Sequence, residues 1–368
     1  MKVLVWQWGR RGAGPRFAAQ LSAAFDQVPG VSAVLSLSTG AELLAAPGAP
    51  LCGLPVRTYA NIAGLAGRML ASPVLVAGLA RRFRAMGLDG AVCAMPGPLD
   101  LLCVAALHRA GVAATVIVHD AEAHPGDGFP LLMMLQRQLV RRADAVVTLS
   151  SHVAEQLRGR QLIGARAKLI VADHPPFDFG PVPPAFGHGD GVRLLSFGRL
   201  LPYKGLDLLV EALKLLGPRP GLRVRVVGQG PESEALRALR AQPGVTVENR
   251  WVAESEIALL LGWADAVVLP YREASQSGVA AAALAAGRMV ICTRVGGLEG
   301  QLRDEPLARL CDPDAGSLAA AIGEFVETPV RVAAAAVDPA RAWRGLAERL
   351  VGEAMAGARH DGFRQPGS

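Results

Sequence analysis

The stretch from Arg193 to Gly228 reads RLLSFGRLLPYKGLDLLVEALKLLGPRPGLRVRVVG, and its hydrophobic period changes twice. Arg193-Leu-Leu-Ser-Phe197 is a short apolar run that predicts a strand. From Gly205 to Leu216 the apolar residues Leu206, Leu209, Val210, Leu213 and Leu216 recur at helical spacing. Arg223-Val-Arg-Val-Val227 predicts a second strand, ended by Gly228-Gln-Gly230. A helix between two strands is the crossover that joins parallel neighbours. Downstream the alternation continues, with helices expected over Glu232–Arg240 (opened by Pro231), Glu254–Trp263, Gln276–Ala286 and Ser317–Val326. The intervening strands are expected at Val245–Val247, Ala266–Leu269, Met289–Cys292 and Leu307–Leu310. Strict alternation implies a parallel sheet covered by helices on both faces.

The first half follows the same plan. Strands are expected at Lys2–Trp6, Ala33–Leu37, Gly90–Ala94, Thr115–Val118, Ala145–Leu149 and Lys168–Val171. Helices fit between them, with Pro73 interrupting the stretch from Asn61 to Met86. The fold class is therefore α/β, two doubly wound parallel-sheet domains. Pro181-Val-Pro-Pro-Ala-Phe-Gly-His-Gly-Asp-Gly191 reads as the linker. The expected divisions are 1–185, 186–330 and a 331–368 tail, in which Pro339–Met355 forms a helix anchored by Trp343 and Leu346. Residues 359–368 are expected to be disordered. Ligands of such sheets bind beyond the carboxyl ends of the strands, and a cleft between two domains is the default site.

The chain has 368 residues, room for two domains at about 150 residues each. Hydrophobic residues make up 51% and charged residues 19%, which excludes a disordered chain. Aromatics are only 5%, which argues against base stacking on single-stranded nucleic acid as the main activity. The five cysteines (Cys52, Cys93, Cys103, Cys292, Cys311) show no Cys-x-x-Cys spacing, so neither a disulfide framework nor a zinc site is expected. No secretory signal or spanning run is apparent, and the expectation is a cytoplasmic protein, peripheral on the inner face of the cell membrane. The net charge of +6 is uneven. Residues 1–185 hold 17 basic and 11 acidic side chains, whereas the remainder is neutral. Basic and apolar residues mix over Ala80–Met86 and over Phe129–Arg142. Such stretches suit either an anionic membrane surface or a core helix with a solvated basic side.

Several segments, in order, resemble the family 4 glycosyltransferases, whose GT-B fold has two facing Rossmann-like domains and an interdomain cleft. In the second half they are Phe197-Gly-Arg-Leu-Leu-Pro-Tyr-Lys-Gly-Leu-Asp-Leu-Leu209, Val226-Val-Gly-Gln-Gly-Pro231 and Ala264-Asp-Ala-Val-Val-Leu-Pro-Tyr271. Ser275-Gln-Ser-Gly-Val279, Ala285-Ala-Gly287 and Thr293-Arg-Val-Gly-Gly297 continue the match. Arg142-Ala-Asp-Ala-Val-Val-Thr-Leu-Ser150 and Val118-His-Asp120 are similar to segments of the acceptor domain.

The resemblance implies a retaining enzyme that moves a sugar from a nucleoside-diphosphate donor to a glycan or lipid-linked acceptor. Bacterial surface-polysaccharide synthesis is the expected setting. Arg199 and Lys204 follow a strand end and suit the diphosphate leaving group, one as a planar fork and one as a point charge. Gln276, Ser277, Gly278 and Val279 open a helix whose amides favour an anion, with Gly278 permitting close approach. Gly228 ends a strand on the donor side, and backbone near Trp251 and Val252 is expected to hold the base. Gly12 and Gly14, in the loop Gly9-Arg-Arg-Gly-Ala-Gly-Pro15, can direct amides at the donor. His119 is expected to contact the donor sugar or stabilise charge, and His124-Pro-Gly-Asp127 to shape an acceptor loop.

The chain departs from the family at its paired glutamates. The second falls at Ala282, which cannot bind ribose hydroxyls, and the first at Ala274, with Glu273 one place away. Asp312-Pro-Asp314 reads as turn and cap chemistry rather than a metal motif. No metal or other cofactor is implied, and no nucleic-acid partner. Two alternatives stay open: a nucleotide-sugar epimerase of the same architecture, and a nucleotide-binding scaffold that lost catalysis.

Overall fold

The computed structural model describes residues 1–46, 48–126, 130–177, 179–180, 191–330 and 338–355. Strands β1 (Lys2–Gln7), β2 (Ser32–Leu37), β3 (Gly90–Cys93), β4 (Ala114–Val118), β5 (Ala145–Thr148) and β6 (Lys168–Val171) form the first sheet. They alternate with helices α1 (Ala13–Asp26), α2 (Ile62–Leu70), α3 (Ser72–Met86), α4 (Asp100–Arg109), α5 (Pro130–Arg142) and α6 (Ser151–Gly159). The second sheet holds β7 (Val192–Phe197), β8 (Leu222–Gly228), β9 (Val245–Asn249), β10 (Ala266–Leu269), β11 (Met289–Thr293) and β12 (Ala308–Cys311). Its helices are α7 (Leu206–Leu216), α8 (Glu234–Arg240), α9 (Glu254–Trp263), α10 (Gly278–Ala285), α11 (Gly297–Leu302) and α12 (Ala315–Glu327), and α13 (Pro339–Arg349) follows. The expected linker at 181–190, Asp127, Phe129 and the tail at 359–368 lie outside the described residues.

Every strand pair is parallel, in the orders β2-β1-β3-β4-β5-β6 and β12-β11-β10-β7-β8-β9. Each is a doubly wound Rossmann-like sheet. The chain leaves β7 towards β8 and β9, then returns past it to β10, so the switch point of the second sheet lies between β7 and β10. The equivalent point of the first sheet lies between β1 and β3. Each sheet has its own apolar core. Leu4, Val116 and Val146 belong to the first, and Leu194, Val226 and Val268 to the second. By contacts the chain divides into Met1–Glu122, Gly128–Asp173 and Ala340–Ser368 as one unit, and Ala123–Asp127 with His174–Pro339 as the other.

Local chemistry adjusts several expected boundaries. α8 begins at Glu234, not Glu232, because the Ser233 hydroxyl accepts from the Leu236 amide at 3.3 Å and caps it. α10 begins at Gly278 because Ser277 caps it, accepting from the Ala280 amide at 3.1 Å. Pro73 starts α3 rather than kinking one long helix, and α2 and α3 meet at 74°. Among the described residues no single helix is long and apolar enough to cross a membrane. α13 buries Trp343 edge-on against Phe17 of α1, ring centroids 4.7 Å apart. All five cysteines are free.

One buried carboxylate ties the first unit together. Asp100 is 1% exposed and accepts from Trp6 Nε1 at 3.1 Å, the Gly97 amide at 2.6 Å and Cys93 Sγ at 3.3 Å. Burial outweighs these donors and raises its carboxyl to about 6. Between the unfolded value of 3.8 and about 6, the folded chain therefore binds the extra proton. The group's stabilising contribution is complete below the lower value and is lost as pH rises through the upper one, by roughly 3 kcal/mol at most. Urea midpoints measured from pH 4 to 7 should show this fall in the native protein. The Asp100→Asn variant, whatever its absolute stability, should lack that component of the slope.

Candidate functional site

Beyond the end of β7, the backbone of Gly198–Leu200 continues alongside residues 227–230. The Gly198 amide donates to Val227 O at 3.1 Å and the Leu200 amide to Gln229 O at 3.0 Å. A Cβ on Gly228 would lie 1.7 Å from Gly198 O. Gly228, expected to line a donor site, is thus glycine because another backbone passes against it. Val279 packs beside Gly198, 3.7 Å from where its Cβ would be.

Pro202–Lys204 form a single 3-10 turn that ends at Gly205, with φ +64°. A Cβ there would lie 1.8 Å from Pro270 O, and the Arg272 amide donates to Tyr203 O at 2.8 Å. The turn after β7 is therefore docked on the segment after β10, across the switch point. This docking buries Tyr203 (4% exposed) and Tyr271 (2%). Lys204 Nζ sits 3.7 Å from the Tyr271 ring centroid and 4.9 Å from that of Tyr203. Arg199 donates from Nη2 to Tyr203 Oη at 2.9 Å, with its guanidinium 5.9 Å from the ring. Burial pushes the Tyr271 phenol up, with Ser277 and Arg199 among the groups opposing it, so the phenol stays protonated. The structure brings Arg199 and Lys204 together on a tyrosine platform absent from the expected site. Its sequence signal is the repeated Leu-Pro-Tyr at 201–203 and 269–271.

The start of α10 is rigidly held. Gln301 accepts from the Ser277 amide at 2.8 Å and returns a hydrogen bond from Nε2 to Ser277 O at 3.0 Å. The Ser277 amide, expected to face an anion, is therefore occupied. Gly278 is also explained by packing, since Phe177 Cε2 lies 3.0 Å from where its Cβ would be. The Gln276 Oε1 is buried with no hydrogen-bond partner among the described residues, an arrangement that costs about 1–3 kcal/mol.

Both family glutamate positions are buried alanines, Ala274 and Ala282, each 2% exposed. Glu273 is half-exposed and pairs through Oε1 with His124 Nδ1 at 3.2 Å. The His124 imidazole stacks on Tyr203, centroids 4.6 Å apart at 17°. Glu273, His124, Tyr203 and Arg199 thus form one continuous chain in the C-terminal unit. Trp251 follows the edge strand β9, two strands from β7, and is 40% exposed. Its carbonyl accepts from Arg250 Nη1 at 3.1 Å. Val252 adjoins it in the loop leading to α9.

In the N-terminal unit, Gly12 (φ +84°) precedes α1 with open space at its Cβ position. Gly14 instead accommodates buried Gln7, whose Cδ lies 2.8 Å from where a Cβ would be. Gln7 Oε1 also accepts from the Gly9 amide at 2.9 Å, so the glycine loop is wrapped on this side chain. His119, after β4, is 7% exposed and bonds through Nε2 to Ala94 O at 2.9 Å. Burial holds its imidazole below the usual value, against the opposing Ala94 bond and Asp120 charge. A neutral imidazole there can act through hydrogen bonds. Asp314 caps α12 by accepting from the Ser317 amide at 2.9 Å, as turn chemistry requires. Among the described residues no three His, Cys, Asp or Glu side chains converge as a metal site.

Residues 6–172 match the family model described as Glycosyl transferase 4-like domain, and residues 191–328 match Glycosyl transferases group 1. The chain is 30% identical over 254 residues to a D-inositol 3-phosphate glycosyltransferase of Streptomyces scabiei, covering 61% of this chain and 56% of that protein. It is 26% identical over 288 residues to a GDP-mannose-dependent alpha-(1-6)-phosphatidylinositol monomannoside mannosyltransferase of Mycolicibacterium smegmatis, covering 73% and 75%. The chain spans between half and two-thirds of the length of several such curated relatives. Among solved structures, Anabaena HepE in complex with UDP and glucose superposes with a TM-score of 0.67 at 18% identity, covering 98% of this chain and all of that one. That likeness identifies the two-domain Rossmann-like GT-B fold.

The docked turn generates a stability prediction. Gly205→Ala should lower stability by more than about 3 kcal/mol, because a clash with Pro270 O adds to left-handed backbone strain. Gly87→Ala, left-handed at φ +62° with nothing within 4 Å of its Cβ, should lose only about 1 kcal/mol. Urea unfolding followed by circular dichroism measures both, and equal losses would show that the docking contact is unimportant.

Proposed function

The chain belongs to the family 4 glycosyltransferases, and we propose that it moves a sugar from a nucleoside-diphosphate sugar to a hydroxyl of a glycan or lipid-linked acceptor. The observation that carries this reading is the pair of cations, Arg199 and Lys204, held over Tyr203 and Tyr271 beside the switch point. A departing diphosphate gathers negative charge on its oxygens, and preorganised cations stabilise that charge without reorganising. Gln276 would add a hydrogen-bonding group to the donor. The reading requires no metal for leaving-group stabilisation.

The proposed course is retaining. The C–O bond from sugar to diphosphate breaks, the acceptor oxygen bonds to the anomeric carbon on the same face, and its proton passes to the leaving phosphate oxygen. No enzyme nucleophile is needed. With alanine at 282, the ribose must be held by other groups, or donor affinity is low.

Acceptor class rests on two supports. The relatives named above act, by their names, on inositol phosphate or on phosphatidylinositol mannoside. The N-terminal unit also exposes Ile62, Leu70 and Val74 on the bent α2–α3 pair, near basic Arg68, Arg81 and Arg82 in sequence. On α5, exposed Leu131 and Met134 accompany Arg137, Arg141 and Arg142. This combination suits an anionic membrane and hence a lipid-linked acceptor, as in assembly of a bacterial surface glycan on the cytoplasmic face. The alanines at both family glutamate positions favour a second reading, a nucleotide-binding scaffold without turnover.

Release of nucleoside diphosphate from a panel of nucleotide sugars, with inositol phosphates and lipid-linked glycans as acceptors, tests the proposal. Arg199→Ala and Lys204→Ala should each lower kcat/KM by about 100-fold or more while leaving the circular dichroism spectrum unchanged. Wild-type rates in both variants would sink the assignment. Nucleotide binding without turnover on any acceptor would establish the scaffold.

A further inference from the structure

At their starting ends, β7, β8 and β9 present unlike faces. Val192, Leu194, Val224 and Val226 are buried in the core of the C-terminal unit. On the other face Arg223 is exposed, and Arg193 and Arg225 are half-buried. In register Arg193 lies directly opposite Arg223, and Arg225 lies opposite Leu195 and Thr246. Trp263, the last residue of α9, stands beside them, its ring 5.7 Å from the Arg193 guanidinium carbon and 5.1 Å from that of Arg225. These side chains line a cavity of about 540 Å³.

Like charges directly opposite one another on neighbouring strands are destabilising. The nearby acids neutralise Arg225 but leave Arg193 and Arg223 without an ion pair among the described residues. Glu248 bonds to Arg225 at 2.5 Å and is shared with Arg250 at 3.0 Å, which Glu256 also pairs at 2.8 Å, and Asp265 accepts the Arg193 main-chain amide at 2.9 Å. The excess positive charge around this open space is therefore that of Arg193 and Arg223, with Arg225 beside them already paired to Glu248. Trp263 lies within cation–π distance of the Arg193 and Arg225 guanidinium groups, and the planar fork of N–H donors that arginine presents matches phosphate oxygens. The space is open to solvent on one side and larger than a single phosphate fills.

We propose that this cavity binds a soluble, multiply phosphorylated anion at a second site. The inference does not depend on the donor reading. Arg193 lies near the start of β7 and Arg199 two residues beyond its far end, and the strand between them spans about 15 Å or more, so the two sites are distinct.

Calorimetric titration of the full chain with inorganic tripolyphosphate at fixed ionic strength tests it. Two classes of site are expected in the native protein. Arg199→Ala/Lys204→Ala should remove one, and Arg193→Ala/Arg223→Ala should weaken the other at least tenfold. Arg223→Glu, at an exposed position where misfolding is not expected, should abolish the same second class. Unchanged binding in both cavity variants, or a native protein whose only site vanishes in Arg199→Ala/Lys204→Ala, would overturn the proposal while leaving the donor reading intact. Loss confined to the cavity variants would support this site and count against the donor reading. Sedimentation with phosphatidylglycerol vesicles distinguishes a lipid source. Vesicle binding lost in Arg223→Glu, with no tripolyphosphate binding, would assign the arginines to a headgroup and overturn the soluble ligand.

Discussion

The backbone of Gly205 presses against the carbonyl of Pro270, leaving no room for a side chain between them. On this contact the geometry of the C-terminal unit depends. It locks the turn after β7 to the segment after β10, and so turns two loops separated by some 65 residues of chain into one surface. Tyr203 and Tyr271 become a shared platform only because the loops are docked. The platform in turn positions a guanidinium and an ammonium that mutual repulsion and solvation would otherwise separate.

The parallel sheet explains why chemistry gathers at this end. The C-terminal ends of β7 and β10 flank the position where strand order reverses, so their following loops diverge and leave space between them. The glycines at 228 and 278 belong to the construction of this edge. Each removes a Cβ where another group passes, Gly198 O in one case and the Phe177 ring in the other. β7 and β8 carry arginines near their starting ends, Arg193, Arg223 and Arg225, with Trp263 of α9 beside them. One sheet thereby separates two positively charged regions by the length of a strand.

The N-terminal unit relies on buried polar groups instead. Asp100 gathers donors from Trp6, Cys93 and Gly97, and Gln7 fills the hollow of the glycine loop. Burial of His119 favours the neutral imidazole against the opposing bond to Ala94 O. These side chains hold the loops that follow β1, β3 and β4 in fixed relation to their sheet.

The alternation of strand and helix was legible along nearly the whole chain, because hydrophobic period is a local property. Helices such as Glu254–Trp263 and strands such as Ala266–Leu269 stand where the pattern predicts, and Arg199 and Lys204 were visible as cations after a strand end. Capping was less legible: Ser233 and Ser277 each shorten a helix through one side-chain bond. The tyrosine platform, the stacking of His124 on Tyr203 and its pairing with Glu273 arise between residues distant in sequence. So does the use of the Ser277 amide by Gln301. Period and propensity follow from neighbours along the chain, whereas these contacts exist only once strand order has brought remote loops within hydrogen-bonding distance.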